Sequence, residues 1–193
     1  MRVSKEAAAA SRARIVAAAA RLLRERGIEA TSLADVMAAA GMTHGGFYKH
    51  FRSKDDLVAA ALGAAFAEHA ERFAQRRAAH GVEAALGAYV EEYFSPEHVA
   101  HPGLGCPVAA LGAETGRGAA EVSAALARGV EETIARLVAA APPGSDGAAA
   151  RAAAIRRLTA MVGAVIVARG VGPGALRDEV LAACAGTEDP RVP

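Results

Sequence analysis

Tryptophan is absent from this chain of 193 residues, and the other aromatics are few: five Phe and three Tyr, 4% of the total. Hydrophobic residues still make up 53%, so the core must rest largely on Ala, Leu and Val. Two cysteines, Cys106 and Cys184, are too few for a disulfide framework, which points to a reducing compartment. Long apolar runs are missing as well. The uncharged stretch between Arg157 and Arg169 has eleven residues, where a bilayer needs about 20. Glu6, Arg12, Arg14 and Arg21 interrupt the Ala-rich N-terminus, which excludes the apolar segment of a signal peptide. A cytoplasmic protein with no membrane association is expected. No nucleophile–base pair, phosphate loop or metal cluster stands out, so neither an enzyme nor a cofactor or metal is expected.

The small net charge of +1 hides an asymmetry. Residues 1–54 hold ten Lys/Arg against four Asp/Glu, a net +6, and the remaining 139 hold 12 against 17, a net −5. All three lysines (Lys5, Lys49, Lys54) lie in the basic part. A basic head on an acidic body fits a protein that holds a polyanion at one end.

Alternating strand patterns are also lacking, and every periodic stretch is helical. A first helix is expected from about Ser4 to Arg26, ending at Gly27. Ile15, Ala18, Ala19, Leu22 and Leu23 form its apolar stripe, with Arg14, Arg21 and Arg24 off it. Ser32 caps a second helix that stops at Gly41, with Asp35 completing a capping box. Thr43 caps a third of barely two turns. Ser53 caps a long helix to about His80 that ties head to body. Further helices are expected beyond Gly81 (with Tyr89, Tyr93 and Phe94), from Pro107, over 119–141, over 148–169 and over 174–185. Breaks fall at 95–106 and 142–147, and residues 186–193 are expected to be disordered.

The two short helices around Gly41 have the form of a helix-turn-helix, whose second member would enter the DNA major groove. Thr43 and His44 stand at the end that faces base edges. Gly45 and Gly46 each cost about 1 kcal/mol relative to Ala in a helix, and close approach of the backbone to DNA gives them a reason. Tyr48, Lys49 and His50 can reach phosphates, and Lys54 sits at a helix N-terminus suited to an anion. Phe47, Phe51 and Leu57 instead fill the core of the head with Ile15, Leu33, Val36 and Met37.

Over residues 10–60 the sequence resembles the TetR family of transcriptional regulators. The resemblance lies in the first-helix pattern with Gly27, the run T-S-L-A-D-V, Ala40-Gly41, and T-x-G-x-F-Y-x-H-F-x-S-K-x-x-L from Thr43 to Leu57. It implies an all-α fold of about 9–10 helices: a three-helix DNA-binding head at 1–54 and a helical ligand-binding and dimerisation domain at 55–193. It also implies DNA contact by Thr43, Tyr48, His50 and Lys54, with Ser32 near the backbone. Gly45 and Gly46 fall at positions that vary within the family, so His44 and Lys49 carry this chain's own base preference. A homodimeric repressor on a palindromic operator, released by a small effector, is the function implied.

The body must be read from its own residues. Phe66, Phe73, Tyr89, Tyr93 and Phe94 pool every remaining aromatic between 66 and 94. Phe66, Phe73 and His69 share one helix face and Tyr89 and Tyr93 another. Together they form a candidate wall for a small, largely apolar or aromatic ligand, or merely fill an Ala-rich core. Cys106, between Gly105 and Pro107, stands at a helix start where a thiol becomes reactive; a redox- or electrophile-sensing regulator is the alternative function. His98 and His101 have a metal-compatible spacing but no third ligand. Apolar stripes on 119–141 (Val122, Leu126, Val130, Ile134, Leu137, Val138) and 148–169 (Ile155, Leu158, Val162, Val165, Ile166) make these two helices the expected dimer interface.

Overall fold

A computed structural model describes residues 5–142 and 144–185. Ser4, Pro143 of the expected 142–147 break, and the tail at 186–193 lie outside the described residues. Those described form nine α-helices: α1 Lys5–Arg26, α2 Leu33–Ala39, α3 Lys54–His80, α4 Val82–Tyr93, α5 Pro96–Ala100, α6 Pro107–Thr115, α7 Ala120–Ala139, α8 Gly147–Val171 and α9 Ala175–Ala185. Two 3-10 segments, His44–Lys49 and Pro102–Leu104, complete the set, and no strand occurs among the described residues. The stretch at 95–106 is therefore not simply broken. Ser95 Oγ accepts the His98 amide at 3.1 Å and starts α5, and Pro96 occupies the first turn.

Local chemistry sets the limits of the head elements. Ser32 Oγ accepts the Asp35 amide at 3.1 Å, and Asp35 Oδ2 accepts from the Ser32 amide at 3.3 Å and its hydroxyl at 2.6 Å. Those bonds to Ser32 hold the Asp35 carboxyl below its usual pKa. Ser53 Oγ caps α3 through the Asp56 amide at 3.0 Å. Gly27 (φ +88°) and Gly41 (φ +68°) turn the chain after α1 and α2 in a region that L-residues avoid. Thr43 does not cap as expected: it occupies the N-cap position without a side-chain bond, and the segment after it winds as a 3-10 turn. Six residues including two adjacent glycines give too little helical propensity for a full α-helix.

Phe47, Phe51, Ile15, Val36, Met37 and Leu57 are buried together, and this core continues without a gap into Leu62, Ala65, Leu111, Val122 and Ala125. The apolar interior thus passes across residue 54 into α3, α6 and α7.

The two long helices expected to dimerise part ways. α7 turns Val122, Ala125, Gly129, Thr133, Ile134 and Leu137 inward. At Gly129 a Cβ would stand 2.0 Å from the Phe66 ring of α3, so that ring lies directly on the α7 backbone with no room for a methyl. Its apolar stripe is thus largely covered within the chain. α8 buries Leu158, Met161 and Val165 yet leaves Ile155, Ile166, Val167 and Val171 exposed, and α9 adds exposed Leu176.

Candidate nucleic-acid interface and effector pocket

The 3-10 turn sorts its side chains by face. Phe47 and Phe51 point inward, stacked with centroids 5.7 Å apart, and the Arg12 guanidinium lies 4.7 Å over the Phe51 ring. Tyr48 is 69% exposed and braced edge-on against Phe47 at 5.1 Å, so its hydroxyl faces solvent on a fixed ring. Ser32, Thr43, His44, Gly45 and Lys49 are exposed, and Gly46, His50 and Lys54 partly so. Every residue expected to touch DNA therefore has solvent access. Nothing lies within 4 Å of a Cβ built at Gly45, so the body does not demand a glycine there.

A second set of contacts fixes the head to the body, and sequence reading missed it. Thr31, buried, donates to the carbonyls of Gly27 at 2.7 Å and Leu22 at 3.3 Å, closing the turn after α1. Glu114 of α6 accepts the amides of Ile28 at 2.7 Å and Glu29 at 3.3 Å, close against Gly27. Arg24, expected off the apolar stripe, is only 5% exposed. It donates to the Ala20 carbonyl at 2.8 Å, to the Gly105 carbonyl at 2.9 Å and to Glu68 of α3 at 3.3 Å. Burial lowers its pKa while Glu68 opposes the shift. α6 and the loop before it thus grip the end of α1 at two points.

The Gly105 carbonyl also meets His69 Nε2 at 3.1 Å, and Arg72 meets His69 Nδ1 at 3.1 Å. A carbonyl only accepts and a guanidinium only donates, so His69 is the neutral Nε2–H tautomer. Burial and the adjacent Arg72 agree, lowering its pKa to about 4. His98 is fixed likewise: Nδ1 donates to the Tyr93 carbonyl at 2.6 Å and Nε2 accepts the Cys106 amide at 2.9 Å. Both ring nitrogens are used within the chain, which leaves none for a metal.

The expected pocket residues separate. Phe66 is 4% exposed and packs on Gly129, in the core rather than a pocket wall. Phe73, Tyr89 and Tyr93 stack edge-to-face in series at 6.1 and 6.0 Å. His69, Phe73, Tyr89 and Tyr93 border a narrow cleft of about 20 Å³ with Arg72, Arg76, Glu92, His98 and Leu104, room for about one water. A larger hollow of about 380 Å³ lies between α3, α4 and α7, with Phe73 on its wall. Cys106 lines neither; it is 6% exposed and packed with Tyr93, Met161 and Val165.

A short helix and a 3-10 turn joined through a left-handed glycine, with a solvent-facing row of Thr, His, Tyr and Lys on an aromatic brace, have the form of a helix-turn-helix. Residues 15–61 match the sequence model of the bacterial regulatory proteins, tetR family. The regulator TtgR of Pseudomonas putida is 42% identical over 69 residues, 36% of this chain and 33% of that protein. The repressor BepR of Brucella suis is 32% identical over 103 residues, 50% of this chain and 49% of that one. Such matches span a third to a half of these curated relatives' length. A TetR regulator from Chloroflexus aurantiacus superposes with a TM-score of 0.73 at 26% identity, covering 93% of this chain and 94% of that one. Residues 15–61 are thus similar to the DNA-binding part of the tetR family, and the fold of the whole chain is shared with solved regulators of that family. No helix among the described residues is long and apolar enough to cross a membrane.

Proposed function

We propose that the chain is a homodimeric, ligand-responsive repressor of the cytoplasm, with residues 1–54 reading DNA and 55–193 sensing an effector and dimerising. The observation that carries this reading is the exposed row His44, Gly45, Tyr48 and Lys49 above buried Phe47 and Phe51. In it His44 and Lys49 select bases, Tyr48, His50 and Lys54 hold phosphates, and Ser32 lies along the backbone. Repression, as in the name of BepR, fits a protein whose DNA grip a ligand would release.

The exposed apolar residues of α8 (Ile155, Ile166, Val167, Val171) support dimerisation through α7 and α8, with exposed Leu176 of α9 beside them. A twofold dimer sets the recognition turns about 34–36 Å apart, one DNA turn, and requires a near-palindromic operator. An effector among α3, α4 and α7 would shift α3, and the grip of Arg24 and Glu114 on α1 would carry the shift to the head. Operator and effector then weaken each other's binding by one common factor.

The test is selection of duplexes from a random DNA pool by the purified protein. A recovered palindrome supports the reading. Sequence-blind, salt-sensitive retention alone overturns specific recognition by the head.

A further inference from the structure

The hollow between α3, α4 and α7 has an unusual lining for a site expected to take an apolar ligand. Ala70, Ala74 and Ala78 follow one face of α3, and Ala139, Phe73 and Val82 close the remaining apolar wall. Alanines here leave a groove of about 380 Å³ that is open to solvent, with Ala74, Arg77, Ala78, Val82 and Ala139 exposed along it and Phe73 buried at its base. Only two lining residues are charged, Arg77 and Arg136, and no carboxylate lines it.

Neither guanidinium lies within ion-pair distance of a carboxylate among the described residues. Acid is not scarce nearby: on the same helix Arg72 and Arg76 both pair with Glu92, at 3.3 and 2.6 Å. Arg136 is moreover held in place. One of its terminal nitrogens donates to Thr133 Oγ1 at 2.9 Å, and that hydroxyl donates to the Gly129 carbonyl at 2.8 Å. Its other donors stay uncommitted on a fixed group. Two like charges facing one apolar hollow repel each other until an anion lies between them, and a planar guanidinium fork matches a carboxylate or sulfonate.

We propose that this hollow binds an organic anion: a small amphipathic molecule whose apolar body lies on the alanine face and Phe73, and whose acid group is held by Arg77 and Arg136. The inference rests on the reading of the chain as an effector-responsive regulator and names the chemical class of that effector. The apolar half of the expected ligand stays; the acid group is the addition.

The test uses the full-length protein and two probes of one scaffold, anionic 8-anilinonaphthalene-1-sulfonate and uncharged N-phenyl-1-naphthylamine, titrated by fluorescence. Arg77→Gln and Arg136→Gln should each weaken the sulfonate about tenfold, as expected for a bond to a charged group, and leave the neutral probe unchanged. Arg136→Lys, which keeps the charge but not the planar fork, should bind the sulfonate with an affinity between those of the parent and Arg136→Gln. Ala74→Phe, which fills the hollow, should exclude both probes, with unchanged melting temperature as the folding control. Equal effects of the Gln variants on both probes, or none on either, overturn the proposal. Operator binding by each variant is measured in parallel. Intact operator recognition with no arginine-dependent sulfonate binding rejects this inference alone, whereas absence of operator recognition rejects the regulator reading itself.

Discussion

Replacing Gly129 by Ala sets two effects of known size against each other. In an exposed helix interior the change would stabilise by about 1 kcal/mol, because glycine is the freer residue in the unfolded chain. At this position the new methyl would stand 2.0, 2.2 and 2.3 Å from three atoms of the Phe66 ring. Phe66 is buried beneath α7, so the ring has no solvent side to swing into, and either it or the helix must move. Forcing a methyl into a filled core costs about 1–3 kcal/mol, and contacts this short against a rigid ring belong at the upper end. The expected net loss is about 2 kcal/mol, or about 4–8 °C in melting temperature for a chain of this size. Thermal melts followed by circular dichroism at one fixed protein concentration measure it, since dimerisation makes melting concentration-dependent. Phe66→Leu should partly relieve the crowding, so the double variant should lose less stability than the two single losses added together. A Gly129→Ala protein that melts at or above the parent temperature would refute the close α3–α7 crossing.

Lys54→Ala should weaken binding to every DNA sequence; with about 0.9 unit of salt slope per phosphate contact, a dimer losing two lysines should lose about 2 units, read from titrations at several salt concentrations. His69 has a pKa of about 4 when folded against an ordinary value of 6.5, so its contribution is complete above pH 6.5 and is lost as pH falls toward 4. It amounts to about 3 kcal/mol at most, and His69→Gln should flatten the stability–pH curve between these limits in urea titrations. Gly45→Ala should hold or raise the melting temperature, since nothing lies within 4 Å of the added methyl, yet lower operator affinity measured by anisotropy; unchanged affinity would show that the backbone does not approach the bases there.

The head was legible because its signals are local. Ser32 and Asp35 lie three residues apart, and their capping box is read from that spacing alone; the cap of α3, Ser53 to the Asp56 amide, is equally local. The grip on α1 was not, because Arg24 meets Gly105 across 81 residues and Ile28 meets Glu114 across 86. Periodicity placed Arg24 off the stripe but could not say that another element would cover it. Thr43 shows the limit of a local rule: the residue type suits a cap, but the glycines after it give a 3-10 turn whose amides make other bonds. In the body, pooled aromatics could not be divided into wall and core, since the fate of Phe66 depends on a glycine 63 positions away on α7. Apolar stripes on α7 and α8 looked alike as well, and only packing decides which is covered within the chain.

The double hold on α1 bears on how such proteins are recombined. Grafting this DNA-reading part onto a foreign sensor by one splice within α3 would carry Arg24 along without the Gly105 carbonyl, and Ile28 without the Glu114 carboxylate. The hybrid would hold a buried cation short of an acceptor and an uncapped turn, both costly. A transplant that keeps its orientation must therefore bring the stretch from Gly105 to Glu114 with it, as two pieces of chain joined to the new sensor at three seams.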